Sequence, residues 1–133
     1  MTPQQLERLR AARTGHLATC SRDGRPHSVP VCFIWNGQEL VIPLDEKPKT
    51  VPARRLRRVR NLKENPQACL VIDHYEEAWE RLWFVMVEGA GRVEALTSEE
   101  VRLLREKYPQ YRTMQLEEAI RLQPARTVGW EAQ

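Results

Sequence analysis

The stretch from residue 27 to residue 44 constrains the fold most. In HSVPVCFIW (27–35), Val29, Val31, Phe33 and Trp35 alternate with Ser28, Pro30, Cys32 and Ile34, the two-residue period of a β-strand. Asn36-Gly37 follows, a dipeptide suited to a tight hairpin because both central residues of such a turn take positive φ. ELVIPL (39–44) returns as the next strand, and HLATCS (16–21), joined through the turn SRDGRP (21–26), precedes the first. The pattern predicts a meander of three antiparallel strands. Pro30 cannot donate to a strand ladder, so its strand lies at an edge or carries a bulge.

The rest of the chain alternates helix and strand signals. Thr2-Pro3-Gln4-Gln5 is a capping box with proline in the first turn, and it opens a helix over residues 3–12 with Leu6 and Leu9 inward. Residues 45–66 form the central non-strand block, punctuated by Pro48, Pro52 and Asn65-Pro66, with a helix expected from Val51 to Lys63. QACLVIDHY (67–75) is apolar for most of its length and reads as a strand buried on both faces. After the polar loop EEAWER, LWFVMVEGAGRVEAL (82–96) is a long strand whose Gly89 and Gly91 allow a bulge or a close backbone approach. A second capping box, Thr97-Ser98-Glu99-Glu100, starts a helix to about Tyr108, and residues 116–130 hold one or two short strands around Pro124. Five or six antiparallel strands in so short a chain suggest a barrel, which removes exposed edges, with helices plugging its ends.

Composition narrows the class. The chain has 133 residues, 41% apolar and 29% charged, which fits one compact domain over 1–133 with a core that needs no disulfide or metal. The net charge of +3 is mild, but five arginines fall between Arg54 and Arg60. A local basic patch suits an anionic small ligand better than a long polyanion. Cys20, Cys32 and Cys69 are odd in number and far apart, as expected of a reducing, cytoplasmic setting. The N-terminal segment is charged from residue 7 and reads as no signal peptide, and no segment reaches membrane-spanning length.

The block from Lys47 to Arg58 carries the clearest chemical signal. At about 100° per residue, Leu56 and Val59 share one side of the expected helix, and Arg54, Arg57 and Arg58 fall opposite. Lys47, Lys49 and Thr50 precede its start, where free N–H groups and the positive dipole end favour phosphate. The alternatives are a solvated basic face and a nucleic-acid surface, the latter without any recognisable motif. Trp35, Trp79, Trp83 and Trp130 can wall a planar ring or pack in a core or interface. His16, His27 and His74 have no metal-ligand spacing and read as strand histidines with a hydrogen bond. Without an acid–base constellation, catalysis would fall to a cofactor that the protein binds and orients.

GHLATCSRDGRPHSVPVCFIW resembles the opening of the pyridoxamine-phosphate-oxidase-like split-barrel flavoproteins. The likeness continues through Lys47-Pro48-Lys49, Leu56, Arg57-Arg58, Asn61-Leu62, Asn65-Pro66, Leu70 to Tyr75, Trp79, Leu82-Trp83, Val87-Glu88-Gly89, Ile120, Pro124 and Gly129-Trp130. The combination DHYxxxW with LW is similar to the branch of probable F-420-dependent enzymes. The resemblance implies a mainly β, α+β split barrel of about six antiparallel strands with three short helices. It also implies a homodimer with two cofactor sites at the subunit interface; from charge, motifs and segment length, neither membrane nor nucleic acid is expected as a partner. Lys47, Lys49, Thr50, Arg54, Arg55 and Arg58 would hold the cofactor phosphate. The ring would lie along Ser28, Val29, Pro30 and Val31, with Trp79, Trp83 and Trp130 contributed near it, partly by the partner subunit. FMN-binding relatives often carry polar residues before the VEG turn, where this chain has Phe84 and Met86. That departure favours coenzyme F-420, with a hydride passing to or from a small organic substrate. FMN, or a non-catalytic flavin or haem carrier or sensor, is the alternative.

Overall fold

The computed structural model describes residues 1–45, 52 and 55–133. The elements run α1 (Pro3–Ala11), β1 (Gly15–Cys20), β2 (Pro26–Val31), β3 (Ile34–Trp35), β4 (Leu40–Pro43), α2 (Arg57–Glu64), β5 (Gln67–His74), β6 (Trp83–Ala95), α3 (Ser98–Lys107) and β7 (Glu118–Glu131). All strand pairs are antiparallel, in one sheet ordered β2-β1-β5-β6-β7-β4-β3.

That order dictates the shape. The two edge strands, β2 and β3, are separated in the chain only by Cys32 and Phe33. So short a link reaches about 10 Å at most, so the sheet curls until its edges approach. The result is a half-barrel, the mainly β fold with three helices that the sequence implies, built from seven strands rather than about six. The difference arises at Cys32–Phe33, where the expected strand 27–35 breaks into β2 and β3. The three-stranded meander therefore does not form: β1–β2 and β3–β4 are hairpins at opposite ends of the sheet. Pro30 sits on an edge strand, as its missing N–H requires. Gly37, at φ 103°, supplies the positive φ of the β3–β4 turn, and Asn36 Oδ1 accepts from the Gln38 and Glu39 N–H groups.

Side-chain alternation separates two cores. Leu17, Phe33, Leu40, Ile42, Leu70, Ile72, Val85, Val87, Ile120 and Leu122 fill the concave interior. On the outer face, Val41 and Ala119 pack with Leu104, Tyr108 and Tyr111 from α3 and the short 3-10 turn after it. Thus α3 covers the outside of β3, β4 and β7 rather than plugging an end. α1 seats near β3 and the start of β6, and α2 over β1 and β6. Both predicted capping boxes form, Thr2 with Gln5 and Thr97 with Glu100.

Three further expectations change. The tail is one 14-residue strand, because the register shift between Glu88 and Gly89 accommodates Pro124 without ending the ladder. Gly89 is required there, since a Cβ would lie 1.8 Å from the Gln123 carbonyl oxygen. β5 buries Ala68, Leu70 and Ile72, while Cys69 and Val71 on its other side are only half-buried. α2 begins at Arg57, not Val51, because Leu56 takes an extended conformation (φ −61°, ψ 136°). Residues 51, 53 and 54 of the expected helix lie outside the described residues.

Candidate functional site

The expected cofactor contacts fall in two groups, one at the β2 edge of the sheet and one on its middle strands β6 and β7. The first surrounds the junction of β2 and α2. Ser28 and Pro30 are exposed on the outer face of the edge strand, while Val29 and Val31 turn toward the interior core. Arg55 is exposed in a turn closed by its N–H to the Pro52 carbonyl (2.9 Å). Arg58 is buried on α2 rather than standing in a solvent-facing basic wall. Lys47, Lys49, Thr50 and Arg54 lie outside the described residues.

α2 is anchored at this junction by Asn61, whose buried amide donates to Thr19 Oγ1 on β1 (3.0 Å). The helix has no acidic residue in its first turn and no side-chain cap, so its free N–H groups and positive dipole end stand beside arginines. His27 faces them from β2. Burial pushes its imidazole below the ordinary value, and the charges of Arg58 and Arg57 push it further. Its Nδ1 is buried and has no hydrogen-bond partner among the described residues, against the satisfied strand histidine that the sequence suggests. A neutral imidazole with an unused nitrogen, two guanidiniums and open helix N–H groups together suit an anionic oxygen group. The residues present thus fit the phosphate end of a nucleotide-like cofactor.

The second group lies where β6 begins and β7 ends. Trp83 is half-buried, with the Arg8 guanidinium 4.4 Å from its ring centroid and the His74 ring 6.1 Å away, nearly parallel at 17°. Trp130 is half-exposed and stacks on Phe84 (6.3 Å, 19°). Trp79 is exposed on a 3-10 turn between β5 and β6. A cavity of about 540 Å³ opens here between α1 and the ends of β5 and β6, bordered by Arg8, Arg13, Asp73, His74 and Trp83. That volume accommodates a small organic molecule. His74 Nε2 lies 2.7 Å from Glu76 Oε2, a histidine–carboxylate pair that the sequence reading missed. Its signal was His-x-Glu where a strand runs out, since beyond β5 the chain bends and both side chains can meet.

Within one protomer the two groups stay apart. The row His27, Thr19, Ala68, Gly89 crosses four strands, and Trp83 lies six residues further along β6. At about 4.8 Å per strand and 3.3 Å per residue, they are separated by roughly 14 Å across and 20 Å along the sheet. Between them the outer face carries Ala18, Val71, Phe84, Met86 and Val128, which α3 does not cover.

Residues 1–131 match the sequence profile described as pyridoxamine 5'-phosphate oxidase, and the chain belongs to that family. Solved structures with the same fold span flavin, deazaflavin and haem proteins. An F420 reductase superposes with a TM-score of 0.71 at 18% identity, covering 96% of this chain and 98% of that one. The heme storage protein HutZ of Vibrio cholerae gives 0.68 at 19% identity over 96% and 89%. An FAD binding protein of Mycobacterium smegmatis gives 0.65 at 14% identity over 100% and 98%. No curated protein matches the chain. Among the described residues there is no group of three potential metal ligands and no helix long and apolar enough to cross a membrane.

Proposed function

We propose that this protein is a homodimeric oxidoreductase, one domain over 1–133 and cytoplasmic, that binds coenzyme F-420 and uses it on a small organic substrate. The observation that carries the reading is the electropositive junction of His27, Arg57 and Arg58, where a buried imidazole nitrogen has no hydrogen-bond partner among the described residues. The cofactor, when bound, supplies the hydride acceptor or donor. Lys47, Lys49, Thr50, Arg54, Arg55 and Arg58 are proposed to hold its phosphate, with Arg57 and His27 beside them. Ser28 to Val31 would line its ring. Trp79, Trp83 and Trp130 would complete the ring wall from the partner subunit, because within one protomer Trp83 lies about 20 Å along the sheet from the row of His27. The apolar outer strip from Ala18 to Val128 gives the second copy a surface to cover. The cavity beside Trp83 would seat the substrate. Phe84 and Met86 present no polar group to a ring, which favours the deazaflavin over FMN.

Titration of the purified protein with F-420 and with FMN tests the cofactor. Micromolar binding of F-420 is expected, and binding of FMN alone would overturn the assignment. Lys49→Ala or Arg54→Ala should each weaken binding by about 1–3 kcal/mol, the worth of one charge-assisted contact. Light scattering should report a dimer, and a monomer that retains cofactor would contradict the shared site.

A further inference from the structure

A second cavity, of about 290 Å³, lies between α1, β3 and α3, away from His27 and from Trp83. Ile34, Trp35 and Leu103 form its apolar wall, with Arg10, Glu106 and Lys107 at its polar side. We propose that this cavity captures small aromatic aldehydes and that Lys107 condenses with them as a reversible imine.

The setting of Lys107 distinguishes it from Lys63, the other lysine among the described residues, which is exposed. Its Nζ is drawn inward, donating to the Phe33 carbonyl (2.9 Å) and lying 4.2 Å from the Phe33 ring centroid and 5.3 Å from that of Tyr108. Burial lowers the ammonium to about 8 and the Arg13 guanidinium adds to this, opposed by the Cys32 thiol. Arg10 and Glu106 at the cavity add one charge of each sign, and the Tyr108 hydroxyl, itself pushed by burial up to about 12, stays neutral. A large fraction of the amine is therefore unprotonated near pH 8, where an ordinary lysine is almost wholly ammonium. Lys107 borders a ring-sized apolar space with an indole wall, so turning its amine from the Phe33 carbonyl into that space would meet an aromatic carbonyl compound.

The step balances without an oxidant. The nitrogen lone pair attacks the carbonyl carbon, giving a carbinolamine. The two hydrogens of the amine and the carbonyl oxygen then depart as water, leaving a C=N bond, and hydrolysis reverses it. The competing role for Lys107 is to pin the Phe33 carbonyl where the chain passes between sheet edges.

The test is to incubate the protein with benzaldehyde and sodium cyanoborohydride at pH 8 and to map the N-benzyl adducts by mass spectrometry. Lys107 is expected to be labelled at least about tenfold faster than exposed Lys63, from the free amine that its lowered ammonium supplies at pH 8. Its labelling should fall as pH drops below 8. Leu103→Trp fills the cavity while leaving the amine intact and should suppress labelling at Lys107 but not at Lys63. Equal labelling of both lysines, or labelling of Lys63 alone, overturns the proposal in favour of the pinning role. Unchanged labelling in Leu103→Trp overturns the cavity as its seat.

Discussion

Two charged regions of this small barrel are built on opposite terms. Outside β4, β6 and β7, Arg121 donates to both Glu100 oxygens (2.6 and 2.5 Å), Asn36 adds a bond to Glu100, and Arg92 grips Glu39 at 2.6 and 3.2 Å. Opposite charges meet there at close range, with Arg121 and Glu100 both buried. At the β2–α2 junction, by contrast, arginines face an imidazole whose inner nitrogen has no partner among the described residues. In the first region every cation faces a carboxylate, although Arg121 Nε is buried without a hydrogen bond among the described residues and only lies 3.5 Å from Glu94, and the region belongs to the scaffold. The second sets like charges beside a desolvated imidazole, a setting that suits an anion.

Breaking the paired network should have the largest effect. Arg121→Met leaves the Glu100 carboxylate buried without its counter-charge, a change expected to cost about 3–5 kcal/mol in denaturant unfolding. A loss below 1 kcal/mol would place Arg121 outside the scaffold and collapse the contrast.

Acid probes the same network without mutation. Burial alone would raise the Glu100 carboxyl, but the Arg121 guanidinium, the Thr97 N–H and the Asn36 amide outweigh it and hold it at about 2. A carboxyl lowered on folding stabilises the protein above its unfolded value of about 4.3 and loses that contribution as pH falls toward 2. The expected loss is about 3 kcal/mol between those limits, and Glu100→Gln should flatten the slope of stability against pH there. A slope unchanged by the substitution would assign the acid transition to other carboxylates.

How far the sequence reveals these regions depends on the range of the forces that build them. The capping boxes, the Asn36-Gly37 turn and the bulge at Gly89 are local, and each forms where the residues indicate. The break at Cys32–Phe33 is not legible locally. It is held by Tyr108 and Lys107, about 75 residues away, which bond the Phe33 backbone. The start of α2 moves for a similar reason: helical signals run back to Val51, yet Leu56 is extended and packs on the interior core. Among the expected site residues, the arginines on α2 are readable as a basic block. Which of them is buried and which faces His27 is not readable, because it depends on how Asn61 and Thr19 seat the helix against β1.

A smaller effect should separate affinity from stability at the open region. Arg57 is exposed at the start of α2 and faces His27. Arg57→Gln should weaken F-420 binding by about 1–3 kcal/mol while leaving the melting temperature within experimental error. A loss of stability comparable to that of Arg121→Met would make the junction a second scaffold element.

His27 gives the finest discrimination, because its expected effect on stability is small and of unusual sign. Its buried Nδ1 is desolvated without a bond in return, so an apolar ring of similar shape removes a cost rather than a contact. His27→Phe should therefore hold or raise stability, by no more than about 1 kcal/mol, while weakening cofactor binding. The pH dependence gives a second reading of the same group. A histidine lowered on folding favours the neutral ring, so its unfolded form takes up protons first and stability declines as pH falls from about 6.5. His27→Phe should remove that decline, and a bound phosphate should reduce it in the unsubstituted protein by offsetting the charges of Arg58 and Arg57. If His27→Phe instead destabilises the fold by more than 1 kcal/mol at neutral pH, the imidazole is bearing structure and the junction is not open in the sense argued. A stable variant that binds F-420 with unchanged affinity would move the anion site away from β2, onto the segment that carries Lys47, Lys49 and Thr50.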